Sequence, residues 1–368
     1  MNKKRSIVLM TVLALVCLML GGCKGSDAEP AQTGDTTATE APAEPTEAPA
    51  EPTEAPAATE PAVTEAPTAD VDRSTIYVDA ASGNDENTGD SKEAAFASIA
   101  KAVEVAEPGS EILVASGTYT DKIYFEVSGT ADERITLKAA DPANRPLLTA
   151  GEGWSDDDFD DGFIVIEDAS FITIEGFEIA EYKTTSEDPC PIGIHVCGDS
   201  DGVIIKDCYI HDCGIINPGT DYNAHGILVS GDSKGAINDI TVEDCELCNL
   251  SLGNSEALVL NGNVDGFIVR NNVVHDNDNI GIDFIGYEET YSDPTFDRAR
   301  NGECTGNTVY NITSEFNPTY EGDICADGIY VDGGDNIVIK DNVVYNCDIG
   351  IETASEHQGR STSNIVID

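Results

Sequence analysis

From Phe163 onward the chain keeps returning to one short phrase. It occurs as Gly193-Ile194-His195-Val196-Cys197, Gly226-Ile227-Leu228-Val229-Ser230, Ala257-Leu258-Val259-Leu260-Asn261, Gly281-Ile282-Asp283-Phe284-Ile285, Gly328-Ile329-Tyr330-Val331-Asp332 and Gly350-Ile351-Glu352-Thr353-Ala354. Each is a strand-length run with alternate residues apolar, bounded by Gly and Asp/Asn turn signals. A second apolar run follows in most units, as in Val203–Cys208, Ile240–Cys245, Phe267–Asn272 and Ile337–Asn342. A third and shorter one comes next, as in Val273-Val274 and Val343-Val344. No helix-period pattern separates the runs, which excludes strand–helix–strand units. Three short strands per unit, repeated at roughly twenty residues or more, predict an all-β solenoid of stacked coils: a parallel β-helix.

Strand alternation then sorts the side chains. The Ile and the Val or Leu two places on point inward, and the residues between and after them point outward. The outward columns read His195, Leu228, Val259, Asp283, Tyr330, Glu352 and Cys197, Ser230, Asn261, Ile285, Asp332, Ala354. Asp332 and Glu352 therefore face out from neighbouring coils with backbones ~8 Å apart, given ~4.8 Å between strands and two residues of offset. A carboxylate pair at such spacing is what glycosidic-bond cleavage uses, and repulsion between the two raises one pKa as a proton donor requires. The competing reading is an acidic surface on an acidic protein, since Asp and Glu number 69 in all. Interruptions of the period at Gly214–Tyr222, Gly286–Arg300 and Thr313–Cys325 are loops beside the same column, so the groove is expected there. Asp283 and Tyr330 are expected to touch substrate in it, as are His225 at its edge and Arg298 and Arg300 in the second loop. The two arginines either neutralise an acidic sugar or bridge their own loop. His357 is expected to orient a carboxylate or bind a sugar hydroxyl.

A further column, Cys208, Cys245, Asn272, Asn307 and Asn342, puts one residue type at one turn position, which predicts an amide ladder along the axis. Nine cysteines lie beyond Cys23; an odd set argues against a disulfide framework. Cys245-x-x-Cys248 has no helix after it, and no second Cys pair stands at zinc-site spacing.

The remaining segments set domain limits. Residues 1–23 are an export signal, with Lys3, Lys4 and Arg5 before an apolar stretch and Leu20-Gly21-Gly22-Cys23 at the end. The last four resemble a bacterial lipobox, which makes Cys23 a lipidation site and the chain a lipid-anchored, extracytoplasmic protein displayed at the cell surface. Residues 24–73 repeat TEAPAEP and carry almost nothing large and apolar to bury, so they form an extended tether. The folded domain is expected over 74–368. It opens with a strand at Thr75–Val78, a turn-rich acidic loop at Asp79–Asp90, and a capping helix from Ser91 or Asp90 through Glu107. A formal charge of −50 excludes nucleic acid as a partner, because phosphate binding needs clustered Lys and Arg.

The opening IYVDAASGNDENTG…AFASIAKAVEVAEPGSEILVASGTY…ITLKAA resembles the start of the pectate-lyase-like right-handed β-helix superfamily. Within it, Ala326-Asp327-Gly328-Ile329 and Asn346-Cys347-Asp348-Ile349-Gly350-Ile351-Glu352 are similar to calcium-binding segments of family nine pectate lyases. That resemblance implies Asp327, Asp348 and Glu352 as calcium ligands, with Ile349 standing where the pattern has Asp. Gly328-Ile-Tyr-Val-Asp332 with Glu352 and His357-Gln-Gly359 resembles a β-helix β-xylosidase family instead, implying Asp332 as nucleophile and Glu352 as acid/base with no cofactor. The expectation is a monomeric enzyme that cleaves glycosidic bonds in a polysaccharide or oligosaccharide, with Asp332 and Glu352 leading and His357 beside them. A calcium-dependent lyase and a non-catalytic glycan-binding surface protein are the rivals. The last strand, Ile365–Asp368, carries no polar cap, so further coils are expected after it.

Overall fold

The computed structural model describes residues 71–368. The export signal with Cys23, and all but the end of the tether, lie outside the described residues. Neighbouring coils pair in parallel on three faces. Eight strands from Ile123–Phe125 to Ile349–Ala354 form what we term the groove face. Ten strands from Thr75–Val78 to Val366–Ile367 form the second face, and eight from Thr118–Tyr119 to Val343–Cys347 the third. Lys183–Thr184 and Gly214–Ile215 make a separate two-stranded ribbon in the loops.

The core follows the alternation. Ile194, Ile227, Leu258, Ile282 and Ile329 stack inward on the groove face and are fully buried, as are Val196, Val229, Leu260, Phe284 and Val331 one position on. Each such side chain contributes ~1.5–3 kcal/mol by leaving water. Phe284 also stacks on Phe267 of the second face at 4.9 Å between ring centroids. The ladder forms as expected. Asn272 Nδ2 donates to Asn307 Oδ1 and Asn307 Nδ2 to Asn342 Oδ1, both at 3.0 Å. The same oxygens accept the backbone N–H groups of Asn272 and Asn307. Cys245 closes the row by donating its N–H to Asn272 Oδ1. All nine described cysteines are free thiols.

The corners have their own chemistry. Asp207, Asp244, Asn271 and Asp341, each just before a ladder residue, adopt left-handed backbone with φ from 51° to 56°. Asp212 and Asn249, just after the third strand of their coils, and Asp276, Asn311 and Asn346, next to last in theirs, do the same. Short polar side chains tolerate this region because they bond to the local backbone, which is why Asp and Asn recur there.

The capping helix is shorter than expected. It runs only over Ile99–Glu104, with Ser98 as N-cap accepting from the Lys101 N–H. It cannot reach back through Phe96, which is bonded as an extended residue, its N–H donating to Tyr77 O and its C=O accepting from the Asp79 N–H, so Lys92–Ala94 form only a separate 3-10 turn. The acidic loop Asp79–Asp90 is a set of turns: Asp79 accepts from the N–H groups of Ala81 and Ser82, and Asp85 from those of Ala97 and Ser98. In the last described coil Val366 and Ile367 are exposed.

Candidate functional site

Register delivers the first outward column whole and the second from Cys197 to Ile285 and from Asp332 to Ala354, with Ile285 bridging Gly333 instead of Asp332. His195 pairs with Leu228, Leu228 with Val259, Val259 with Asp283, Asp283 with Tyr330 and Tyr330 with Glu352. Asp332 pairs with Ala354, two residues along from Glu352. Loops raise walls on both sides of this floor. On one side the turn after Ile282–Ile285 folds back so that Glu288 accepts from Asn261 Nδ2 at 2.8 Å and Thr290 Oγ1 donates to Asn261 Oδ1 at 2.9 Å. On the other, Asn317 Nδ2 donates to the carbonyls of Gly253 and Asp278, and Asn279 Nδ2 donates to Tyr320 Oη.

Five polar side chains of the floor and its edges, Glu256, Asp283, Asp327, Tyr330 and Asp332, are each less than one-tenth exposed. Four are carboxylic acids, and the charges acting on those four are other carboxylates. Burial pushes Asp332 up to about 7, with Glu356 and Glu288 adding to it and the Glu356 N–H, donated to Asp332 Oδ1 at 2.9 Å, opposing. Burial likewise pushes Asp327 up to about 7, and Glu352, Glu356 and Asp348 reinforce it. Burial likewise raises Glu256 and Asp283, with the charge of Glu288 adding to the first and that of Glu256 to the second. His225 is driven the other way, to about 4, by burial, so it is neutral and its Nδ1–H meets the Glu256 carbonyl at 3.2 Å. The floor thus holds protonated carboxyl groups at neutral pH, which is the state a general acid needs.

The expected site residues divide. Asp283, Tyr330, Asp332 and Glu352 share the floor, and His225 lies at its edge. Asp332 and Glu352 lie on neighbouring coils at the anticipated two-residue offset; Glu356 and Glu288 also act on Asp332, and Glu352 acts on Asp327. His357 serves neither. Its charge is felt at Glu288 and Asp297, and it lines a cleft of about 570 Å³ with Tyr287, Tyr291, Asp297 and Arg360. Its Nδ1 is buried without a partner.

Arg298 and Arg300 are not groove residues. Arg298 donates to Tyr287 Oη at 2.6 Å and pairs with Asp335 at 3.4 Å. Arg300 binds Asp265, Asn263 Oδ1 and the carbonyls of Phe296 and Arg298. Both therefore fasten the loop to the second face, leaving no fork free for an acidic sugar. Asp348 is largely structural, because its Oδ2 accepts the N–H groups of Ser314 and Ala326 at 2.8 and 3.1 Å and so closes the Thr313–Cys325 loop. Asp327 Oδ1, in contrast, is buried with no donor at all. Three acids given no role from the sequence also act on the floor: Glu256, Glu288 and Glu356. Glu256 stands directly before a repeat phrase and Glu356 four places after Glu352, which are the only linear signals they carry.

Residues 81–126 match the family described as protein of unknown function DUF1565. The chain is 42% identical over 292 residues to the uncharacterized protein YwoF of Bacillus subtilis (strain 168), a match that covers 79% of this chain and 60% of that protein. The chain thus spans about 60% of the length of that curated relative. Among solved structures, a rhamnogalacturonan lyase superposes with a TM-score of 0.52 at 14% identity, covering 73% of this chain and 68% of that one. The lacto-N-biosidase of Eubacterium ramulus gives 0.55 at 13% identity, covering 80% and 55%. The fold is the right-handed parallel β-helix. At the level of fold, the resemblance carried by the N-terminal segment and the repeats is borne out.

Proposed function

We propose that this β-helix hydrolyses glycosidic bonds in a polysaccharide or oligosaccharide lying along the groove face. The observation that carries the proposal is the Asp332 carboxyl, buried and held up to about 7, facing out beside the carboxylate of Glu352 on the next coil. Glycoside hydrolysis needs a protonated carboxyl to deliver H⁺ to the leaving oxygen and a second carboxylate to attack the anomeric carbon or activate water. Asp332 fills the first role better than the nucleophile's role that the xylosidase resemblance implies, because its environment favours the neutral form. Glu352 is then the second carboxylate. Tyr330, between Asp283 and Glu352 in the column, and Asp283 itself offer hydrogen bonds to sugar hydroxyls. Two of the structural neighbours bear the names of glycan-cleaving enzymes, which supports the substrate class.

A second reading rests on Asp327 Oδ1. A buried carboxylate oxygen without a donor, near Glu352, Glu356 and Asp348, suits a hard cation that takes oxygen ligands. Asp327 and Glu352 would hold calcium there, and the ion would supply positive charge against an acidic sugar as a lyase requires. One screen separates the readings. Polysaccharides are incubated with the protein with and without calcium, and new reducing ends and ultraviolet-absorbing unsaturated ends are both scored. Hydrolysis gives reducing ends alone and is insensitive to chelator; absorbance that needs calcium would establish the lyase; retention without cleavage would make this a glycan-binding surface protein. Acylation at Cys23, display from the membrane on the tether and a monomeric state complete the proposal, supported by the lipobox-like ending and the acidic repeat.

A further inference from the structure

Away from the groove, the third face carries an outward column in which Ala180, His211, Cys248, His275, Tyr310 and Tyr345 pair coil to coil. Most of it is stacking: His275 lies on Tyr310 at 4.7 Å and 3°, and Tyr310 on Tyr345 at 5.0 Å and 5°. The coil of His211 shows the ordinary arrangement. Its Nδ1 meets Asp212 at 2.7 Å and its Nε2 meets Glu178 at 3.1 Å, with Ala180 as its strand neighbour. The coil of His275 repeats this, Nδ1 to Asp276 at 2.6 Å and Nε2 to Glu246 at 3.3 Å, but its strand neighbour is Cys248. The ligand atoms of Glu246, Cys248 and His275 all lie within 4.8 Å of one another. They are the one such group of His, Cys and acid side chains among the described residues.

We propose that Glu246, Cys248 and His275 bind a zinc ion. Thiolate, imidazole and carboxylate are the three ligand types zinc accepts, and three protein ligands leave the fourth tetrahedral position for water. Asp276 completes the design, since a metal-bound imidazole is held in orientation by a carboxylate on its other nitrogen. Binding releases the thiol proton of Cys248 and the proton shared between Glu246 and His275 Nε2, so that two bonds to the metal take the place of that hydrogen bond. Glu246 is exposed and free to swing inward, whereas Cys248 is buried beneath the Tyr209 hydroxyl at 3.8 Å. The ion would tie two adjacent coils together across the sheet.

The test uses reduced, metal-stripped protein titrated with zinc by calorimetry and with cobalt(II) by absorption. One equivalent should bind, with a thiolate-to-cobalt charge-transfer band, and zinc should raise the melting temperature by mass action. Cys248→Ser should abolish the band, and Cys248→Ser and His275→Gln should each weaken zinc at least tenfold. His211→Gln should leave both unchanged, because His211, though paired with Cys248 on its other side, turns its ring nitrogens to Asp212 and Glu178. Absence of the band in the parent protein, or equal zinc affinity in His275→Gln, would overturn the site. If Cys248→Ser does not fold, the parent band and its response to His275→Gln decide alone.

Discussion

Asp332 combines two properties that rarely coincide on a surface strand: it points outward and it is buried. The loop bearing Glu288 and the turn bearing Glu356 cover it, and both add negative charge. If it is the proton donor, Asp332→Asn should lower glycan cleavage by about 10²–10⁴-fold, as should Glu352→Gln, because each removes one half of the acid–base pair. Activity within a few-fold of the parent in either variant, measured on the best substrate of the screen, would remove that residue from the mechanism. The same carboxyl gives a stability prediction. The folded pKa of Asp327 and of Asp332, about 7, lies above the ordinary 3.8, so the native state holds these protons after the unfolded chain has lost them. Stability must then fall as pH rises from about 4 to 7 and level off above, the sign set by proton linkage. Melting temperature should be higher at pH 5 than at pH 8, and Asp332→Asn should flatten that slope. A parent profile that rises over this window would refute the assignment. The outward direction of Asp332, Tyr330 and Glu352 was legible from period-two alternation. Their ionisation was not, because it depends on where Glu288 and Glu356 are brought by irregular loops.

Elements in this fold are held by side-chain amides as well as by apolar stacks. Asn307 Oδ1 is the sole ladder acceptor for two donors of Asn272, its N–H and its Nδ2. Asn307→Ala leaves buried donors bare and should cost about 1–3 kcal/mol, more where both stay unsatisfied. The measurement is the urea midpoint, and a loss under ~0.5 kcal/mol would mean that water or a shifted neighbour replaces the amide. The ladder could be read in advance because one residue type recurs at one turn position. The short capping helix could not. A stripe of Phe96, Ile99 and Val103 reads as helical, yet Phe96 is taken into the strand environment of Tyr77 and Asp79, a contact no local pattern reveals. Cys248 and His275, by contrast, fall in one outward column of the repeat, and strand pairing sets them side by side.

On the scale of the whole molecule, charge opposes compactness. With a formal charge of −50, self-repulsion destabilises the folded chain at low salt. Moving from 0.01 M to 0.15 M salt shortens the Debye length from ~30 Å to ~8 Å, so the melting temperature should rise. An unchanged or lower value would show that repulsion between distant carboxylates is already offset locally. Not all of this charge concerns ligands. A solenoid that turns several times per coil needs residues tolerant of left-handed backbone, and Asp239 and Asp244, at φ 55° and 54°, meet that need as Asn336 and Asn271 do in other coils. Part of what makes a long β-helix acidic is thus a by-product of cornering. Exchanging aspartate for asparagine at such corners would shift the isoelectric point while leaving both backbone and groove untouched, so the overall acidity of chains of this shape is a poor guide to what they recognise.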